Sequence, residues 1–246
     1  MGKVEIRSFV DELTLSRTVA QEWLNQLPSP DKRQTYCVAL SGGRIARRLF
    51  QSLAEIAKEK NAFLGSVHFF WGDERCVPPT DPESNFAAAN ELLLAPLQIP
   101  PGRIHRIRGE LIPSEAVTIA EAEIAEFAAR NSSGQPVLDL IFLGMGEDGH
   151  VASLFPEESE AMVKDNAIYR SVLAIKPPPR RITLGYRAIS AAHQVWVLAS
   201  GAGKERALED SLVPEGDTPL ARVLKLRPST TIFTDIPRQK QSLPST

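Results

Sequence analysis

Cysteine is scarce in this chain, and so are long apolar runs and any surplus of charge of one sign. Of 246 residues only Cys37 and Cys76 are cysteines. Each sits beside a strand-like segment and neither has a metal-ligand spacing, so the expectation is two reduced, inert thiols and no metal. No apolar run approaches the ~20 residues that cross a bilayer, and the N-terminal segment lacks the apolar core of a secretory signal. A cytoplasmic protein without a membrane partner is therefore expected. Lys plus Arg number 28 against 30 Asp plus Glu, and a net charge of −2 carries no nucleic-acid footprint, so any anion site has to be local. Repeats, low-complexity linkers and charge runs are also missing. With nothing in composition to divide it, the chain reads as one domain over residues 1–246, and an apolar content of 43% supports a sizeable core.

What is present is an alternation of strand-like and helix-like segments, the pattern of helices layered on a mostly parallel sheet. Residues 4–10 alternate like an edge strand. Over 11–27 Leu13, Leu15, Val19, Ala20, Trp23, Leu24 and Leu27 recur at helical spacing until Pro28-Ser29-Pro30. Residues 36–40 form a short strand, and Ser41-Gly42-Gly43 turns into a helix with Ile45, Leu49, Leu53 and Ile56 on its buried face. A strand over 67–71 runs into a Gly72-Asp73-Glu74-Arg75 loop, and 85–94 is helical. A connector over 100–113 carries Arg103, His105, Arg106 and Arg108, ahead of a helix over 114–130 closed by Asn131-Ser132-Ser133-Gly134. The run 138–143, apolar except for Asp139, is a strand buried on both faces that stops at Gly144. Periodicity is then poor up to 179. Strand segments follow at 182–184 and 195–199, then Ser200-Gly201-Ala202-Gly203-Lys204, a helix over 205–212, a strand over 230–234, and a polar tail after Pro237 that reads as frayed.

Four glycine-marked loops thus follow strands, at 41–44, 72–75, 144–150 and 200–204. In a parallel sheet such loops leave by one edge, so they converge and can build one site. Gly42-Gly43 suits a phosphate, because glycines let backbone N–H groups approach closely and the helix start adds positive character, with Arg44 and Arg47 adding charge. A tight turn into a helix accounts for the same glycines, and turn chemistry alone leaves both readings open. Gly144, Gly146 and Gly149 match dinucleotide spacing, yet Glu147-Asp148 would meet a pyrophosphate with like charge and Pro156 follows too soon for a crossover helix. A nicotinamide cofactor is disfavoured. Asp148-Gly149 alone is a turn sequence and His150 alone a satisfied imidazole; its place just past the carboxyl end of a strand makes His150 the candidate for chemistry. Asp73-Glu74-Arg75 reads either as a surface ion pair or as a guanidinium oriented by a carboxylate, with Asp73 favoured for that task. Lys204 reads either as a solvated helix start or as an anion contact.

Leu40-Ser41-Gly42-Gly43, Gly72-Asp73-Glu74-Arg75-Cys76-Val77-Pro78 with Ser84-Asn85 downstream, Ile104-His105-Arg106-Ile107, the block from Leu143 through Gly146-Glu147-Asp148-Gly149-His150 to Pro156, Arg181-Ile182-Thr183-Leu184 and Gly201-Ala202-Gly203-Lys204 follow one another in order. In this the chain resembles the 6-phosphogluconolactonases over nearly its whole length. The resemblance implies an α/β, Rossmann-like fold, a mostly parallel sheet with helices on both faces, shared with glucosamine-6-phosphate deaminases and ribose-5-phosphate isomerases. It also implies hydrolysis of 6-phospho-D-glucono-1,5-lactone to 6-phospho-D-gluconate, the second step of the oxidative pentose phosphate pathway. No cofactor is implied, the partner is a small sugar-phosphate lactone, and a monomer is the favoured oligomeric state.

By the same resemblance His150 matches the general base, Asp148 its companion, and Arg75 a substrate-contacting arginine. Ser41, Gly42 and Gly43 match the phosphate loop, and Arg181 and Lys204 match basic positions lining the site. One departure stands out. Where the family continues Ser-Gly-Gly with Ser-Thr-Pro, this chain has Arg44-Ile45-Ala46. Arg44 either replaces the lost hydroxyl donors with a charged fork or shifts phosphate affinity and substrate range.

The chemistry suits these residue types. A δ-lactone is an activated ester, so water needs only a positioned base and a donor for the oxyanion, and imidazoles titrate near neutrality. No nucleophile-elbow pattern surrounds Ser153, which favours direct attack by water. A sugar-phosphate isomerase or deaminase on the related fold and a non-catalytic sugar-phosphate sensor remain as alternatives.

Overall fold

A computed structural model describes residues 2–29 and 35–237; Pro30 of the helix-stopping prolines and the tail expected to fray after Pro237 lie outside the described residues. The first strand, β1 (Lys3–Ser8), leads to α1 (Glu12–Gln26), whose start is set by Asp11, an N-cap carboxylate accepting the Thr14 N–H at 2.7 Å. β2 (Tyr36–Leu40) is buried throughout and turns into α2 (Arg44–Lys60), which buries Ile45, Leu49, Leu53 and Ile56. Then come β3 (Val67–Trp71), β4 (Asp73–Arg75), α3 (Asn85–Ala89) with a π turn over Asn90–Leu94, and α4 (Pro113–Phe127). β5 (Ala129–Arg130) and β6 (Pro136–Val137) precede the central strand β7 (Leu140–Gly144). The remainder is α5 (Glu160–Val163), β8 (Tyr169–Leu173), β9 (Arg180–Leu184), α6 (Tyr186–Ala191), β10 (Gln194–Ala199), α7 (Glu205–Leu212), α8 (Pro219–Leu226) and β11 (Ser229–Thr234).

Six strands pair in parallel in the order β1-β11-β10-β7-β2-β3. From the middle the chain steps outward through β2 and β3 on one side and through β7, β10 and β11 on the other. The order therefore reverses between β2 and β7, whose pairing is confined to Val38 with Leu140 and Ala39 with Ile141. A reversal of this kind opens a crevice at the carboxyl ends of the strands. Helices cover both faces of the sheet. Phe69 of β3 and Phe142 of β7 meet Trp23 of α1 edge-on, with centroids 6.3 and 5.6 Å apart. His68, on the opposite face of β3, lies 4.3 Å from the Phe127 ring of α4.

Several segments differ from the expected pattern. Asp73–Arg75, expected as loop, pairs antiparallel with β9, which pairs with β8 to make a second, three-stranded sheet. The helix expected over 114–130 ends at Phe127, because Ala129 and Arg130 pair with Val137 and Pro136 across the Asn131–Gly134 turn. No periodicity announced β8, since its polarity is inverted: Arg170 is buried, ion-paired with Glu158 at 2.6 Å, while Leu173 is exposed. Both cysteines are free, and burial pushes the Cys37 thiol up to about 12. Among the described residues no helix is long and apolar enough to cross a membrane.

Candidate active site

The crevice between β2 and β7 is a cavity of about 440 Å³. All four glycine-marked loops reach it, through Ser41 to Arg44 after β2, Asp73 and Arg75 after β3, Gly144 to Glu147 and His150 after β7, and Lys204 after β10. Five basic side chains line it, those of Arg44, Arg75, Lys176, Arg181 and Lys204, against the acidic Asp73 and Glu147. That surplus of cations makes the crevice a site for an anion although the chain as a whole is slightly acidic.

Within the loop after β7, His150 and Asp148 form a dyad. The Asp148 Oδ1 lies 2.6 Å from His150 Nδ1 and also accepts the His150 backbone N–H at 3.1 Å. Burial would raise the Asp148 carboxyl, but the His150 N–H, the imidazole's charge and its ring hydrogen bond outweigh it and hold the group below the usual carboxylate range. The loop can bend this way because Gly149 sits at φ +78°, and because a Cβ at Gly146 would run into the His150 ring. Behind it, Gly149 O accepts the Leu220 N–H of α8 at 3.0 Å. The formal dinucleotide spacing opens no helix here; the loop folds back through bridges of Met145 with Val151 and of Val151 with Leu154.

Arg75 and Arg181 face each other as register partners on β4 and β9. Burial, and then the charge of Arg75, lower the Arg181 guanidinium pKa; Arg181 donates to Pro178 O at 3.2 Å and lies 5.8 Å from the Phe155 ring. Across the cavity, burial and then Arg44 lower the Lys204 ammonium pKa, against the opposing charges of Glu147 and Asp235. Ser41 lies in the cavity wall, but its hydroxyl donates to Phe142 O at 2.8 Å. Gly42 packs so tightly against Asn85 that a Cβ there would collide with the amide.

Two expectations need correcting. Arg47 does not add charge to the glycine turn: it points along the outer surface of α2 and meets Glu91 at 3.4 Å. Asp73 does not orient Arg75; its carboxylate accepts the Ser153 hydroxyl at 2.6 Å and the Asn85 amide at 3.2 Å. The orienting group is Glu83, whose backbone carbonyl and carboxylate take Arg75 Nη1 at 2.6 and 3.2 Å. Arg44 lines the cavity but is ion-paired with Glu12.

Asn85, Lys176 and Glu147 were not foreseen as lining residues. For Asn85 a signal existed: Ser84 caps α3 by accepting the Ala87 N–H at 3.1 Å, which fixes Asn85 as the first helical residue. Lys176 stands in the β8–β9 connection, where no pattern marks it.

Comparison with known proteins brings four findings. The family model described as glucosamine-6-phosphate isomerases/6-phosphogluconolactonase matches residues 11–233. A 6-phosphogluconolactonase of Treponema pallidum (strain Nichols) is 38% identical over 173 residues, 70% of this chain and 70% of that protein. The crystal structure of a 6-phosphogluconolactonase from Thermotoga maritima superposes with a TM-score of 0.74 at 27% identity, covering 95% of this chain and 99% of that one. A monomeric glucosamine-6-phosphate deaminase shares the fold, with a TM-score of 0.77 at 19% identity over 94% of this chain and 96% of its own.

Proposed function

The chain belongs to the glucosamine-6-phosphate isomerase/6-phosphogluconolactonase family, and from this premise we infer that it hydrolyses 6-phospho-D-glucono-1,5-lactone to 6-phospho-D-gluconate. The observation that carries the mechanism is the Asp148–His150 dyad standing in a basic crevice. With Nδ1 hydrogen-bonded to the Asp148 carboxylate, the other ring nitrogen, Nε2, is the acceptor. It takes a proton from water as the water oxygen bonds to the lactone carbonyl carbon. The carbonyl oxygen becomes an oxyanion that the Arg75 guanidinium stabilises. The intermediate collapses by breaking the bond from carbon to ring oxygen, and the imidazolium returns its proton to that leaving oxygen, giving the open-chain acid. Asp148 stabilises the transient imidazolium. The phosphoryl group meets the Ser41–Gly43 turn through backbone N–H groups, with Arg44 and Lys204 supplying charge there and Arg181 supplying charge from the wall it shares with Arg75.

A positioned base contributes ~10²–10⁴-fold. His150→Ala is therefore expected to lose that much kcat in lactone hydrolysis, corrected for spontaneous ring opening, with KM and the folded state little changed. Near-normal hydrolysis by this variant would remove His150 from the mechanism. A parallel assay for sugar-phosphate isomerisation or deamination distinguishes the other activity known on this fold.

A further inference from the structure

Arg44, the residue at which this chain departs from Ser-Thr-Pro, opens α2 at the mouth of the crevice. Its Nη1 pairs with Glu12 at the start of α1, and its Nη2 donates to Ser200 O at 3.4 Å. A Cβ on Gly201 would collide with that Nη2, so the guanidinium lies across the turn that carries Lys204. Arg48, one turn further along α2, reaches the same Glu12 carboxylate at 3.4 Å. Glu12 thus serves two guanidinium groups. α2 starts at Gly43 with no side-chain cap, which leaves its first N–H groups to other partners. Arg44 also lowers the Lys204 ammonium pKa, as two cations facing one turn must.

We infer that Glu12 tempers the preference for a phosphorylated substrate: it parks Arg44 as a movable clamp that is handed to the phosphoryl group of the incoming lactone. The inference rests on the phosphate corner assigned above. Arg44 is 61% exposed, and an exposed ion pair shifts an equilibrium by only about five-fold at most. A guanidinium fork on a phosphoryl group is a charge-assisted contact worth roughly ten-fold or more, so phosphate displaces Glu12. Glu12 keeps Arg48 after the hand-over, and its carboxylate is not stranded. An unphosphorylated lactone cannot take the clamp, and Arg44 then stays on Glu12.

The test compares 6-phosphogluconolactone with unphosphorylated gluconolactone as substrates, with inhibition by inorganic phosphate as a second readout. Glu12→Gln frees Arg44 and is expected to lower KM for the phosphorylated substrate about three- to five-fold, raising the preference for it. Arg44→Ser is expected to raise that KM about ten-fold with kcat little changed. Arg48→Ala leaves Glu12 to Arg44 alone and is expected to move KM upward, opposite to Glu12→Gln. Far-UV circular dichroism melts establish that each variant is folded. If Lys204→Ala raises KM while Glu12→Gln and Arg48→Ala both leave KM and phosphate inhibition unmoved, the phosphate corner stands and the role of Glu12 is overturned. If Lys204→Ala and Arg44→Ser are also without effect, the phosphate corner itself is wrong.

Discussion

Arg75 is held at one end of its guanidinium. Glu83 takes Nη1 twice, while Nη2 has no hydrogen-bond partner among the described residues and Arg75 lines the cavity, so that edge of the fork is uncommitted. An oxyanion or carboxylate matches such an edge better than a point charge does. Arg75→Lys keeps the charge and loses the fork, and kcat/KM is expected to fall roughly ten-fold to a hundred-fold, the worth of one charge-assisted hydrogen bond; wild-type kinetics would reduce Arg75 to an ion pair with Glu83. His150, Arg75 and Lys204 were legible as crevice residues because each stands in a glycine-marked loop that follows a strand, and topology sends such loops to one edge; Arg181, on an antiparallel strand of the second sheet, was reached through the family resemblance alone. Glu83 was not legible, because it lies eight residues beyond Arg75 in a proline-rich loop whose path no periodicity records. Arg47 misled because nearness in sequence to the glycine turn says nothing about which side of a helix a residue occupies.

The elements with one strong signal were found with their bounds: β2, β3 and α7 have the predicted ends, and α2 the predicted buried face. The second sheet escaped because its strands are short, antiparallel and mixed in polarity, with charged Asp73, Glu74 and Arg181 buried. α8 escaped although Thr218 followed by Pro219 is a start signal. That helix has work beyond packing. Thr218 accepts the Ala221 N–H at 3.1 Å, hydrogen-bonds Ser211 at 2.6 Å, and would be struck by a Cβ on Gly149. Thr218→Val keeps the β-branch but removes the cap, which costs ~1 kcal/mol and a few degrees of Tm. Because the cap backs the loop that carries His150, kcat is expected to fall while KM holds. Unchanged kcat beside a lowered Tm would make α8 a structural support only.

Stability of the whole sheet is tied to a neutral imidazole far from the crevice. His68 is buried on β3, with Nδ1 2.8 Å from His105 Nε2 and Nε2 against Arg103; His105 in turn lies 3.7 Å from Glu123. Burial, then the charges of Arg103 and His105, bring the His68 pKa down to about 4. An unfolded histidine titrates near ~6.5, so between the two values the unfolded chain binds the proton and the folded one does not. Stability is therefore full above about pH 6.5 and falls as pH drops toward 4, by up to ~3 kcal/mol at ~1.4 kcal/mol per pH unit. Urea unfolding at pH 7 and pH 5 should show the loss in the wild type and a flatter response in His68→Gln; equal slopes would place the acid-sensitive group elsewhere. Among the described residues β1 has β11 as its only sheet neighbour, with Lys3 opposite Ser229, 226 positions downstream. On the ribosome, then, β1 must wait for a strand made more than two hundred residues later, its backbone edge open to foreign strands meanwhile. Lys204 and Thr218 likewise emerge long after β1. Until β11 emerges the sheet is incomplete, and the unpaired edge of β1 is the kind of surface that chaperones cover.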